Sequence, residues 1–102
     1  MLTTQLSEEA VEVSQMCSKI LRFGWFETRK GLTENNQERL IDEINDLMGV
    51  VNMLQRSGIL PGNDPRDIID PNKIDNKVEK IKKYMKYSAQ CGTLDSLSEI
   101  PD

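Results

Sequence analysis

Leu40-Ile41-Asp42-Glu43-Ile44-Asn45-Asp46-Leu47 repeats, 34 residues further on, the pattern of Leu6-Ser7-Glu8-Glu9-Ala10-Val11-Glu12-Val13. Each copy reads leucine, an acid at the second residue after it, glutamate at the third, an acid at the sixth and an aliphatic at the seventh. At roughly 100° per residue around a helix axis, Leu6, Ala10, Val13, Met16, Cys17, Ile20 and Leu21 share one apolar arc. Glu9 points into the middle of that arc and Glu12 lies on its border. In the second copy Leu40, Ile44, Leu47, Val50, Val51 and Leu54 form the arc, with Glu43 inside it and Asp46 on its border. A lone buried carboxylate costs several kcal/mol unless it is paired or bound to a cation. Two helices that both carry this cost are expected to face each other across a divalent metal ion, which points to an enzyme.

Working outward, Gly24 is a natural stop for the first helix, which is expected from about Thr3 or Thr4 to Phe23. Gly24 to Glu34 reads as a loop carrying Trp25, Phe26 and Gly31. Asn35 with Glu38 three residues later resembles a capping box opening a second helix, which runs to about Arg56 and is closed by Ser57-Gly58. The stretch from Gly58 to Pro71 concentrates prolines, glycines and aspartates and reads as a turn-rich connector. Asp70-Pro71 then precedes a third helix, about Asn72 to Ser88, with an apolar stripe of Ile74, Val78, Ile81, Tyr84, Met85 and Ala89. Residues 1–90 are expected to form one domain and 91–102 a polar, acidic tail. No strand pattern is legible, so the expected fold is all-α: a bundle of three main helices per chain.

Composition narrows the chemistry. The 102 residues contain no histidine, which excludes Ser-His-Asp and Cys-His catalysis and His-bearing zinc sites. Carboxylates, lysines or metal-activated water remain. A net charge of −4 argues against binding a nucleic-acid polymer. No run of about 18 apolar residues is present, so no membrane span is expected. No secretion signal is visible either, which makes the cytoplasm the expected compartment. Cys17 and Cys91 read as reduced thiols, one on a core face and one in the tail. Only 37% hydrophobic and 5% aromatic residues give a limited private core, so completion by a second copy, as a homodimer or homotetramer, is expected.

Residues three apart project from one side of a helix, so Glu9 with Glu12 and Glu43 with Asp46 form two carboxylate pincers. Hard oxygen ligands in this number suit Mg²⁺, with Mn²⁺ possible. "EEAVE" followed by "EIND" resembles the EExxE…ExxD signature of the MazG-like, all-α nucleoside triphosphate pyrophosphohydrolases. "SKILRFGW", "NNQERLIDEINDLMGVVNML" and "NKVEKIKKYM" are similar to the short phage-encoded branch, so the resemblance covers the chain to about residue 90. The 30 residues between Glu12 and Glu43 are slightly more than that family's usual gap.

The resemblance implies that Glu9, Glu12, Glu43 and Asp46 are metal ligands and that Glu8 orients or deprotonates the attacking water. The implied reaction cleaves a (d)NTP between its α and β phosphates into monophosphate and pyrophosphate, in nucleotide-pool control or house-cleaning, in the host cytoplasm if the protein is phage-encoded. Lys19, two turns beyond Glu12, reaches toward a phosphate tail. Lys77, Lys80 and Tyr84 match the basic and aromatic positions of the family's third helix, while Lys82, Lys83 and Lys86 are expected to face solvent. Trp25 is a candidate base-stacking platform, and Asn36 a candidate sugar or phosphate contact.

Plainer readings stand beside these. The acids can be exposed salt-bridge partners, Glu8 a first-turn acid favoured by the helix dipole, the lysines a solvated face, Trp25 a packing aromatic and Asn36 the neighbour of a cap. Met16, Met48, Met53 and Met85, at helical spacing, read as core or subunit contacts. Among enzymes, the nearest rivals are relatives on the same scaffold acting on dUTP or phosphoribosyl-ATP. Outside enzymes, the rival is a non-catalytic helical interaction module whose acids form a groove for a basic partner helix. A divalent-cation buffer is a third reading, which the lysine-bearing third helix disfavours.

Overall fold

The computed structural model describes residues 1–90. Their regular elements are helices: α1 (Leu2–Phe23), α2 (Asn36–Arg56), a 3-10 turn (Pro65–Ile68) and α3 (Pro71–Gln90). The sole β feature among them is an isolated antiparallel bridge between Thr28 and Asn35, which pinches the α1–α2 loop. No helix among the described residues is long and apolar enough to cross a membrane. Cys91 and the acidic tail expected over 91–102 lie outside the described residues.

The chain divides into two compact units, Met1–Ile68 and the segment from Ile69 onward. In the first, α1 and α2 form an antiparallel hairpin. The helix ends are built by local chemistry. Asn35 accepts from the Glu38 N–H at 2.9 Å and the Glu38 carboxylate accepts from the Asn35 N–H at 3.3 Å, which completes the expected capping box. Gly24 ends α1 at φ 92°, a left-handed conformation that costs glycine nothing, and donates to the Ile20 carbonyl.

Leu2, Leu6, Glu9, Val13, Met16 and Ile20 line the covered face of α1, with Lys19 half-buried at its edge. Their spacing alternates four and three, and so does that of Asn36, Leu40, Glu43, Leu47, Val50 and Leu54 on α2. This is the narrow seam along which two helices interlock. Met16, Ile20, Val50 and Leu54 are its most deeply buried apolar members, and Val51 is buried beside them. Three members of the expected α1 arc are corrected: Ala10 and Cys17 are exposed and Leu21 is 88% exposed. A single neighbouring helix covers only the seam, and Ala10, Cys17 and Leu21 lie on its flank. On α2, Ile44 and Ile41 lie outside the seam in the same way, 40% and 52% exposed.

After α2 the connector folds back on the helix that precedes it. Gln55, 5% exposed, donates to the Pro61 carbonyl at 3.0 Å and the Asp64 carbonyl at 2.7 Å. Asn52 donates to the Asn63 carbonyl at 2.9 Å. Asp67 caps the turn by accepting from the Asn63 and Asp64 N–H groups. Gly62, at φ 85°, is required here, because a Cβ would lie 2.6 Å from the Asp67 Cβ.

In the second unit, Asp70 caps α3 by accepting from the Asn72 N–H at 2.9 Å, with Pro71 in the first helical position. Along this helix Val78, Met85 and Ala89 are half-buried, while Ile74, Ile81 and Tyr84 are exposed.

Candidate metal centre

Glu9 and Glu12 project from α1 toward Glu43 and Asp46 of α2. One oxygen of each can be chosen so that all four lie within 4.8 Å of one another. The antiparallel hairpin brings this about by setting the two acidic repeats side by side in opposite directions. Glu9 and Glu43 occupy seam positions and are half-buried, whereas Glu12 and Asp46 stand at the exposed rim. The two repeats therefore meet as the two pincers read from the sequence.

Negative charge is concentrated at this cluster and meets no compensating cation among the described residues. Glu9 Oε2 and Glu43 Oε2 are buried with no hydrogen-bond partner. Desolvation pushes the Glu9 carboxyl above its ordinary value, and repulsion by Glu12 and Asp46 adds to this. Desolvation likewise raises Glu43, helped by a hydrogen bond with Glu12 and by repulsion from Glu12 and Asp46. No lysine or arginine forms an ion pair with any of the four; the ion pairs among the described residues are Arg66–Asp64 and Lys82–Glu79. Hard carboxylate oxygens that are buried, unpaired and crowded fit a hard divalent cation of the Mg²⁺ or Mn²⁺ type.

The other residues singled out in the sequence are distributed as follows. Glu8 is exposed on α1 and lines a shallow hollow with Ser7, Val11, Glu12 and Gln15. Lys19 lies one helical heptad beyond Glu12, on the wall of a cleft of about 330 Å³ at the loop end of the hairpin. Arg22, Phe23, Arg29 and Arg39 line the same cleft, together with Glu27 and Asn36. Asn36 is 4% exposed, and its Nδ2 donates to the Gly24 carbonyl at 2.8 Å, so its amide nitrogen clamps the end of α1 to the start of α2. Trp25 is half-exposed, and its carbonyl accepts from the Gln37 N–H. Lys77, Lys80 and Tyr84 belong to α3, in the second unit, where all three side chains are exposed. Of the lysines expected to face solvent, Lys83 and Lys86 do so. Lys82 does not: its side chain is 18% exposed and reaches Glu79 at 3.4 Å.

Sequence reasoning passed over Arg22, Arg29 and Arg39. Arg22 stands three residues after Lys19 and Arg39 three after Asn36, so helical spacing carried a signal for both. Arg29 sits in a loop with no periodicity to place it. The chain matches no family model, no curated protein and no solved structure.

Proposed function

We propose that the chain is a Mg²⁺-dependent nucleoside triphosphate pyrophosphohydrolase, with Mn²⁺ as an alternative ion, that cleaves (d)NTPs to monophosphate and pyrophosphate. The observation that carries this reading is the convergence of four carboxylates within 4.8 Å, two of them with buried, unpartnered oxygens. The resemblance of the paired acidic motifs to the MazG-like family supplies the reaction class.

Glu9, Glu12, Glu43 and Asp46 would hold the ion, whose bound form offsets triphosphate charge, acidifies water and stabilises the phosphoryl transition state. Glu9 and Glu43, whose carboxyls are held above the ordinary range while uncompensated, would bind such an ion in their deprotonated form. Glu8, exposed beside Glu12, would by the same resemblance orient or deprotonate the attacking water. Lys19 supplies positive charge along α1 for a phosphate tail. Trp25 presents a half-exposed ring for a base. Lys77, Lys80 and Tyr84 are the α3 residues assigned to substrate by the same resemblance.

Homo-oligomerisation belongs to this reading. The exposed flanks at Leu21, Ile41 and Ile44, with the exposed ring of Phe26, are apolar surface of the kind a second copy covers.

The test is chromatographic identification of products from each of the eight common nucleoside triphosphates with Mg²⁺. Monophosphate and pyrophosphate in equal amounts, lost in Glu43→Gln, are expected. Orthophosphate as the sole phosphate product, or turnover unaffected by Glu43→Gln, overturns the assignment. An interaction module would show no turnover with any of the eight and would bind a basic helix through the same acids.

A further inference from the structure

Apart from Lys19, at its edge toward the acids, the cleft at the loop end of the hairpin has no part in the function proposed above, and its charge has the opposite sign to that of the carboxylate centre. Lys19, Arg22, Arg29 and Arg39 surround about 330 Å³ with Glu27 as the one acid, leaving a local charge of +3 on a chain whose net charge is −4. None of the four cations has an ion-pair partner among the described residues.

Helix-dipole stabilisation accounts for Arg22, in the last turn of α1. It does not account for Arg39, in the opening turns of α2, where a positive side chain meets the unfavourable end of the dipole. Nor does it account for Arg29 in the loop. The backbone N–H groups at the start of α2 are already engaged: Asn36 donates to Glu27, Gln37 to Trp25 and Glu38 to the Asn35 side chain. Attraction in this cleft therefore comes from side chains. The Arg22 guanidinium is held 4.9 Å over the Phe23 ring centroid, so part of its ordering entropy is already lost.

We propose that this cleft is a binding site for a phosphoryl anion, separate from the carboxylate centre. Planar guanidinium forks match phosphate oxygens in pairs, and three arginines with a lysine suit a dianionic phosphate monoester or pyrophosphate. Lys19 is seven residues beyond Glu12, and Asn36 seven before Glu43, which places the cleft about 10 Å along the hairpin from the acids. The phosphoryl group has two possible sources: a free anion, or the far phosphate of a nucleotide whose other phosphates lie at the acids. The second source rests on the function proposed above; the site itself does not.

The deciding experiment is calorimetric titration of the full chain with inorganic pyrophosphate, in EDTA at low ionic strength, which removes any contribution from divalent metal. Saturable binding is expected, weakened about 10-fold by Arg29→Gln or Arg39→Gln and by added salt. Lys83→Gln, on the exposed face of α3, serves as the charge control and leaves it unchanged. Amide NMR shifts are expected around residues 19–39 rather than around Glu9 and Glu43, and circular dichroism confirms that the variants fold. Absence of saturation, or equal weakening by Lys83→Gln, overturns the proposal without touching the metal assignment. With Mn²⁺ restored, a nucleoside 5′-triphosphate analogue with a non-hydrolysable α–β bridge is compared with the same analogue carrying a 3′-phosphate. Tighter binding of the latter, erased by Arg29→Gln, assigns the cleft to the far phosphate, and equal binding with intact pyrophosphate affinity assigns it to a free anion.

Discussion

Replacing Glu43 by glutamine keeps the shape of the side chain and removes one charge from the crowded cluster. In the metal-free protein Glu43 Oε2 is a buried acceptor without a donor, and its charged form is disfavoured by desolvation and by Glu12 and Asp46. The neutral amide is relieved of that repulsion, so Glu43→Gln in EDTA should melt at or above the wild-type temperature. Divalent cation reverses the order. A cation at 100 times its Kd stabilises the folded state by about 2.7 kcal/mol, and a domain of this size gains about 4–8 °C of Tm per kcal/mol. Wild-type Tm should therefore rise by roughly 10–20 °C on saturation with Mg²⁺ or Mn²⁺. Glu43→Gln removes one of four ligands and should lose most of that rise. Thermal melts followed by circular dichroism, with EDTA and with stepped metal, read both halves of the cycle. Two results refute the reasoning: a wild-type Tm indifferent to millimolar divalent cation, or a Glu43→Gln variant with an undiminished metal-induced rise.

Further expectations follow from the same geometry. Glu9 and Glu43 have folded pKa values raised above their ordinary 4.5, so their contribution to stability is full below that value and is lost as pH rises through the raised one. In EDTA, Tm should fall as pH rises above about 4.5, a Glu9→Gln/Glu43→Gln double variant should flatten the decline, and a wild-type Tm that climbs over the same window refutes it. Asp64, held down to about 2 by the Arg66 guanidinium, loses its contribution only at lower pH, outside that window. Gln55→Leu leaves the Pro61 and Asp64 carbonyls without their donor and should cost about 1–3 kcal/mol in urea denaturation. Asn35→Ala removes half of the capping box and should cost about 1 kcal/mol in the same assay. Gly62→Ala, at a positive φ and against Asp67, should destabilise measurably, whereas Gly49→Ala, where an added Cβ meets nothing within 4 Å, should stabilise by a few tenths of a kcal/mol up to about 1.

What could be read along the chain was whatever a residue decides with its near neighbours. The reciprocal bonds of Asn35 and Glu38, the glycine stop at Gly24 and the Asp70-Pro71 start are contacts within four residues, so composition and spacing reveal them. The orientation of Glu9 and Glu43 toward their helices' apolar faces is also local, because helical twist alone sets it. Tertiary structure decided how wide a face the neighbour covers. Cys17 and Leu21 lie only some tens of degrees off the seam, yet one partner helix leaves them exposed, and periodicity carries no information about a neighbour's width. Pairing in space likewise joined Glu9 and Glu12 to Glu43 and Asp46 within 4.8 Å. It turned Asn36 from a ligand candidate toward the Gly24 carbonyl and gathered Arg22, Arg29 and Arg39 around one cleft. These relations join residues far apart in sequence through loop closure and side-by-side packing, and their distances exist only once the chain has folded.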